Sequence, residues 1–241
     1  CNKLLKKFTS VKYDISDAKI VTFMFYAGND LLDNIRENNI VSKKRVLKEN
    51  IRFFLPLLDF MHSKIRSFDY SNIYKKRNNT INEVISLKKN YPITSNSIQI
   101  PLYPQHPHLE LTQAELDLGL ELFDIYIEKI SLEFPNSKLQ LLYIPATTSV
   151  YEFKGPFFVR SYKNPPKFLT NSQLNTDRSN YINNEIKRIT NKNLWSFCDS
   201  SKFLKSYTSK VIPVNGPKDW VHFNSNGYEA LAKAYTECFL E

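Results

Sequence analysis

Apolar positions along this chain fall into two alternating patterns. Residues 18–26, AKIVTFMFY, and 138–145, KLQLLYIP, are nearly continuous apolar runs of strand length, the pattern of strands buried on both faces. NLWSFCDS, residues 193–200, suggests a third such strand. The other pattern is helical. Leu47, Ile51, Phe54, Leu55, Leu58 and Ile65 share one stripe over 44–66, where Pro56 should kink or split the helix. Thr112 with Glu115 reads as a capping box opening a helix that runs to about Phe134. Residues 3–8, KLLKKF, read as a helix end, 171–190 as a helix, and 201–209 as a short one. Asn226 with Glu229 looks like the capping pair of a last helix, whose buried stripe is Leu231, Ala234, Tyr235, Cys238 and Phe239. An irregular insertion, rich in Asn, Ser and Pro, occupies about 66–110.

Buried strands alternating with helices predict an α/β fold, a parallel sheet covered on both sides. In such sheets ligands bind outside the carboxyl ends of the strands. Loop residues at those ends therefore carry the functional question.

Composition narrows the picture without deciding it. With 241 residues and 42% hydrophobic content, one globular domain spanning 1–241 is expected. Only 5 residues are Gly, which argues against glycine-rich phosphate loops and repeat architectures. The net charge of +9 raises nucleic acid as a partner, but the Lys residues are scattered and no reading motif accompanies them. No nucleic-acid partner is expected. No run approaches the ~18 apolar residues of a membrane span, so no transmembrane segment is expected in these residues. Cys1, Cys198 and Cys238 match no metal spacing and give no evident disulfide framework.

Two polar clusters stand at the predicted loop ends. The first strand stops at Gly28-Asn29-Asp30, with Asp33 and Asn34 expected to shape the same loop. The second cluster, Asp219-Trp220-Val221-His222, precedes the last helix. Its three-residue spacing can bring a carboxylate to one imidazole nitrogen, leaving the other as a general base. Gly227, just beyond, permits close backbone approach. Gly28, Asp30 and Trp220 are candidates for substrate contact; a turn role for Asp30 and packing for Trp220 are the plainer readings. Tyr103, Tyr151 and Phe153 are packing residues by default. His106 and His108, separated by Pro107 and without a carboxylate pair nearby, do not make a metal site, and His62 sits on the predicted 44–66 helix.

FYAGNDLLDN followed near the C-terminus by DWVHFNSNGYEALA resembles the third and fifth conserved blocks of the SGNH (GDSL-type) hydrolases. The resemblance implies a flavodoxin-like, three-layer α/β/α sandwich and hydrolysis or transfer of acyl groups on small-molecule, lipid or carbohydrate esters. It implies no metal or organic cofactor. By position Asn29 corresponds to the oxyanion-hole amide, His222 to the general base and Asp219 to its orienting partner. Ala27 stands where the family has Gly, leaving Gly28 to supply backbone freedom. The insertion stands where a substrate-specificity element or lid is expected.

The family's Gly-Asp-Ser block, which carries the nucleophile, is not found among the 28 residues before Asn29, and the second block's glycine is absent too. Ser10 and Ser16 lie in polar segments without an elbow, and Ser149 follows a strand end where the family has no nucleophile. Two expectations follow. Either the chain is an N-terminally truncated enzyme whose first strand and serine lie upstream, inactive as it stands, or it is a non-catalytic binder on the same fold, for example of cell-envelope polysaccharide. The first is preferred here.

Overall fold

The computed structural model describes residues 18–35, 94–95, 98–99, 111–153, 157–159, 167–169, 172–216 and 222–240. All belong to one compact unit built from Cys1–Ile35 and Ile93–Glu241. The predicted helices at 3–8 and 44–66, and most of the insertion, lie outside the described residues.

Three strands form a parallel sheet: β1 (Ile20–Tyr26), β4 (Lys138–Ile144) and β7 (Ser196–Asp199), in the order β1-β4-β7. Two further pairings are short and antiparallel. Thr94–Ser95 (β2) meets Ile98–Gln99 (β3), and Phe157–Val159 (β5) meets Lys167–Leu169 (β6). The first of these lies inside the stretch read as irregular.

The helices among the described residues are α1 at 30–35, α2 (Gln113–Glu133), α3 (Thr147–Val150), α4 (Ser172–Lys192), α5 (Ser201–Thr208) and α6 (Ser225–Phe239). α2 opens as its sequence predicts. Thr112 Oγ1 accepts from the Glu115 N–H, and Glu115 Oε2 accepts from the Thr112 N–H at 2.9 Å. α6 opens two residues earlier than the Asn226–Glu229 reading. Asn224 is the N-cap, its Oδ1 accepting from the Gly227 N–H at 3.1 Å, while Asn226 donates to the Pro213 carbonyl.

Alternating side chains of the sheet feed two apolar clusters. Phe25, Leu141 and Tyr143 pack with Phe123 and Ile127 of α2 and Ile182 and Ile186 of α4. Leu142, Ile144 and Cys198 pack with Leu204 of α5 and Leu231 and Ala234 of α6. The protein is thus mixed α/β, with helices against both faces of a parallel sheet. β4 is central, and every residue from Gln140 to Ile144 is buried. Its one polar side chain there, Gln140, accepts from Thr22 Oγ1 at 3.1 Å.

β1 departs from the expectation of burial on both faces. Phe25 is buried, but Ile20 and Met24 are 50% and 62% exposed. The reason is position: β1 is one of the two outer strands of the described sheet, and Leu204, Leu231 and Ala234 of α5 and α6 pack with β4 and β7.

The cysteines also correct the sequence reading. Cys198 on β7 and Cys238 on α6 form a disulfide, with Cα atoms 5.8 Å apart across a sequence separation of 40. Packing the last helix on the last strand creates this proximity, which spacing alone does not reveal. Closing a loop of that size should stabilise the fold by about 2–4 kcal/mol. Cys238→Ser, at an exposed helix position, should therefore lower the urea midpoint, and reductant should do the same to the unsubstituted protein. Midpoints that ignore both changes would contradict a structural disulfide.

Candidate functional site

β1 gives way to α1 through a turn at 27–29. Its ladder is prolonged by Ala27, whose N–H donates to the Ile144 carbonyl at 2.9 Å. Asp30 Oδ2 then folds back to accept from the Tyr26 N–H at 2.8 Å. Asn29 supplies the first helical acceptor, its carbonyl taking the Asp33 N–H at 2.9 Å. Its carboxamide donates to Asp33 Oδ2 at 2.9 Å. An amide nitrogen has two N–H bonds, so Asp33 takes one of them. Asp33 and Asn34 belong to this helix rather than to a loop, with the apolar side chains of Leu31, Leu32 and Ile35 buried beside them.

The backbone freedom expected of Gly28 is not used, and the room left by its missing Cβ is taken by the far end of the Tyr26 side chain. A Cβ there would meet the Tyr26 ring at 2.2 Å, and among the described residues the only glycine at positive φ is Gly216. The Tyr26 ring occupies the space a side chain would need.

Burial raises the Asp30 carboxyl from 3.8 to about 6, the Tyr26 N–H opposing the shift and the Asp33 charge adding to it. This carboxylate is therefore costly to ionise in place.

His222 is held by a different set of contacts. The described residues around it, 213–216 and 222–224, make no helix or strand apart from one bridge, Asn215 to Phe223. They are held by side chains. Tyr151, just after α3, is buried, and its hydroxyl oxygen accepts from the N–H groups of Val214 and Asn215 at 3.0 and 3.1 Å. The same hydroxyl donates to Asn215 Oδ1 at 3.3 Å. Asn215 Nδ2 in turn donates to the His222 carbonyl at 3.0 Å. Asn224 Nδ2 donates to the carbonyls of Pro213 and Asn215. Burial raises the Tyr151 pKa, so the phenol keeps its proton for this network.

Gly227 fills the close-approach role that its sequence position suggests, since a Cβ would lie 2.4 Å from the Val214 carbonyl oxygen. Tyr26 and Phe223, neighbours of Gly28 and His222 respectively, belong to one apolar cluster together with Tyr151 and Val214. The two residues flank the same cluster, which runs along one face of the sheet, and no hydrogen bond joins Asn29 to His222 among the described residues. His222 itself is exposed.

Asp219 and Trp220 lie outside the described residues, as do Ser10, Ser16, His62, Tyr103, His106 and His108. Ser149 shares a hydrogen bond with Ser179 at 2.7 Å, and Phe153 is core. Tyr151 and Asn215, which position the His222 loop, were not distinguishable in sequence from ordinary packing and turn residues. Among the described residues no group of three or more His, Cys, Asp or Glu could hold a metal ion. No described helix is long and apolar enough to cross a membrane. Comparisons with protein-family models, with curated proteins and with solved structures each returned no match.

Asp30 makes a pH prediction. Between about pH 4 and pH 6 the folded chain keeps a proton that the unfolded chain has released, so stability falls as pH rises through that window. The raised pKa corresponds to a penalty of order 2–3 kcal/mol at neutral pH. Asp30→Asn, which keeps an acceptor for Tyr26, should raise stability at pH 8 and leave it nearly unchanged at pH 4. Equal effects of the substitution at both pH values in chemical denaturation would refute this account.

Proposed function

We propose that Asn29 and His222 form the oxyanion and base side of an ester-cleaving site of the SGNH (GDSL-type) hydrolase kind. The reading is supported by the place of Asn29 just past the carboxyl end of β1 and by the Tyr151 and Asn215 bonds that hold the His222 backbone. The strand order supports it. In a flavodoxin-like order 2-1-3-4-5, the sequence β1-β4-β7 corresponds to strands 3, 4 and 5. A further parallel strand would then lie against the outer edge of β1, beside exposed Ile20 and Met24. On this reading the fold is a three-layer α/β/α sandwich.

In the proposed reaction a serine attacks the ester carbonyl and passes its proton to His222 Nε2 or Nδ1. Asp219 holds the opposite ring nitrogen and stabilises the imidazolium. The carbonyl oxygen gains the negative charge, and the Asn29 N–H not given to Asp33 donates to it. Collapse expels the alcohol, protonated by His222, and water or an acceptor hydroxyl then releases the acyl group. The reading requires a serine nucleophile, and the Gly-Asp-Ser motif that carries it in that family occurs nowhere in these 241 residues. No metal or organic cofactor is needed. Carbohydrate O-acyl groups and lipid esters are the substrate classes, with O-acyl transfer to another hydroxyl as the variant outcome.

A non-catalytic ester- or carbohydrate-binding role on the same fold is the second reading. The bond from Asn29 to Asp33 favours it, because it engages the carboxamide in the native turn.

Assay of the full-length protein with p-nitrophenyl acetate separates the two. His222→Ala should abolish turnover, and Asn29→Ala should lower kcat by about 10²–10³. Turnover that survives His222→Ala would end the assignment, and a folded full-length protein with no esterase activity would favour the binder.

A further inference from the structure

A second concentration of polar side chains lies at the carboxyl ends of β4 and β7. A cavity of about 320 Å³ opens there, with Tyr143 and Pro145 from the end of β4 and Asp199 from the end of β7. α4 contributes Ser179, Asn180, Asn183 and Asn184; α5 contributes Ser201 and Lys205. Ser149 of α3 completes the lining.

Much of this lining is fixed in place. Asn183 Nδ2 donates to Asp199 Oδ2 at 2.8 Å, and the Ser201 N–H donates to Asp199 Oδ1 at 2.9 Å. The Ser149 and Ser179 hydroxyls share one bond at 2.7 Å. Above this fixed layer stand three donors of a different kind. Among the described residues, no hydrogen bond or ion pair engages the side chains of Asn180, Asn184 or Lys205. The α4 residues follow one helical face at i, i+1, i+4 and i+5. Asn is a poor helix former, so this face costs the helix stability. Asn is common throughout the chain; the argument rests on convergence with Asp199, Lys205 and the serine pair around one cavity, not on number.

The chemistry of the lining selects a ligand class. An apolar molecule would desolvate amides and a carboxylate without replacing their hydrogen bonds. A free anion would meet the Asp199 charge, which already occupies the first N–H of α5, and Lys205 would balance only that one carboxylate. Hydroxyl groups both donate and accept, so they suit a lining of amides, hydroxyls and a carboxylate. The volume is at the small end of ligand sites, which run from ~300 to ~1,000 Å³.

The geometry points to this cavity as a binding site for one neutral, polyhydroxylated molecule of monosaccharide size. It is held by Asn180, Asn184 and Lys205 over the Asp199–Asn183 and Ser149–Ser179 pairs. The inference does not depend on any reaction at Asn29 and His222.

Titration of the ¹⁵N-labelled 241-residue chain with D-glucose, D-mannose, N-acetylglucosamine and inorganic phosphate tests it. At least one neutral sugar should shift the amide signals of Asn183, Asp199 and Ser201 saturably. Joint replacement Asn180→Ala and Asn184→Ala, both at exposed positions, should weaken that binding at least tenfold with the thermal midpoint kept. Lys205→Ala, exposed on the other wall, should weaken it severalfold and serves as the readout if the double variant does not fold. Shifts with phosphate alone, no shifts with any sugar, or undiminished binding by the folded variants would each overturn the proposal.

Discussion

Parallel pairing of β1, β4 and β7 is the constraint from which the rest follows. Parallel neighbours cannot be joined by a hairpin, so each connection crosses a face of the sheet and each strand leaves at the same edge. The register sets Tyr26 beside Ile144 and Tyr143 beside Asp199. Backbone bonds from Ala27 to Ile144 and from Ser200 to Tyr143 extend that alignment past the strand ends. Residues distant in sequence are thereby delivered to one rim. The crossing helices supply the two apolar clusters that make β4 a strand without solvent contact beyond its first residues.

At that rim the hydrophobic effect no longer decides conformation, and hydrogen bonds do. Residues 213–216 and 222–224 have little regular structure, so their backbone groups depend on side chains for partners. Tyr151 serves two N–H groups with one oxygen, and Asn224 faces three carbonyls with one nitrogen. Each such bond is worth only about 1 kcal/mol net, but a buried group left without its partner costs about 1–3 kcal/mol. The loop is therefore specified less by attraction than by the penalty on every alternative. Gly227 adds a steric condition, since its missing Cβ admits the Val214 carbonyl.

Sequence pattern carried the frame of the fold because the frame is periodic. The runs at 18–26, 138–145 and 193–200 contain the three parallel strands, and the Thr112–Glu115 box opens α2 as read. Non-periodic features were less legible. α3 and the β5–β6 pair have no counterpart in the sequence reading, because four helical residues or three paired ones leave no repeat to detect. The exposed face of β1 was hidden for a different reason: an apolar strand reads alike at an edge and in a centre. The Cys198–Cys238 bond and the Tyr151–Asn215 contact are products of tertiary packing and have no local signature. Asn29 and His222 drew attention through their positions at loop ends, and the structure places Asn29 just past β1 and His222 two residues before the N-cap of α6; Asp219 and Trp220 lie outside the described residues.

Polar residues at strand ends are ambiguous until their partners are known. A carboxamide at such an end can close a turn, present a donor to a ligand, or divide its two N–H bonds between both tasks. Asn215 and Asn224 close turns, their donors spent on carbonyls nearby. Asn29 gives one N–H to Asp33, which fixes the plane of the amide and with it the direction of the second. Such a bond is compatible with an oxyanion donor, because a donor held in place before charge develops loses little on reorganising. The same bond also places a carboxylate next to the amide, and Asp30 stands one residue further on. A negative charge developing at Asn29 would be opposed by both acids, and the raised Asp30 pKa reduces that opposition only below about pH 6. For the oxyanion role to hold at neutral pH, the second N–H of Asn29 must outweigh two nearby carboxylates. The balance is electrostatic, and it weighs on the ester-cleaving reading more than the choice of nucleophile does.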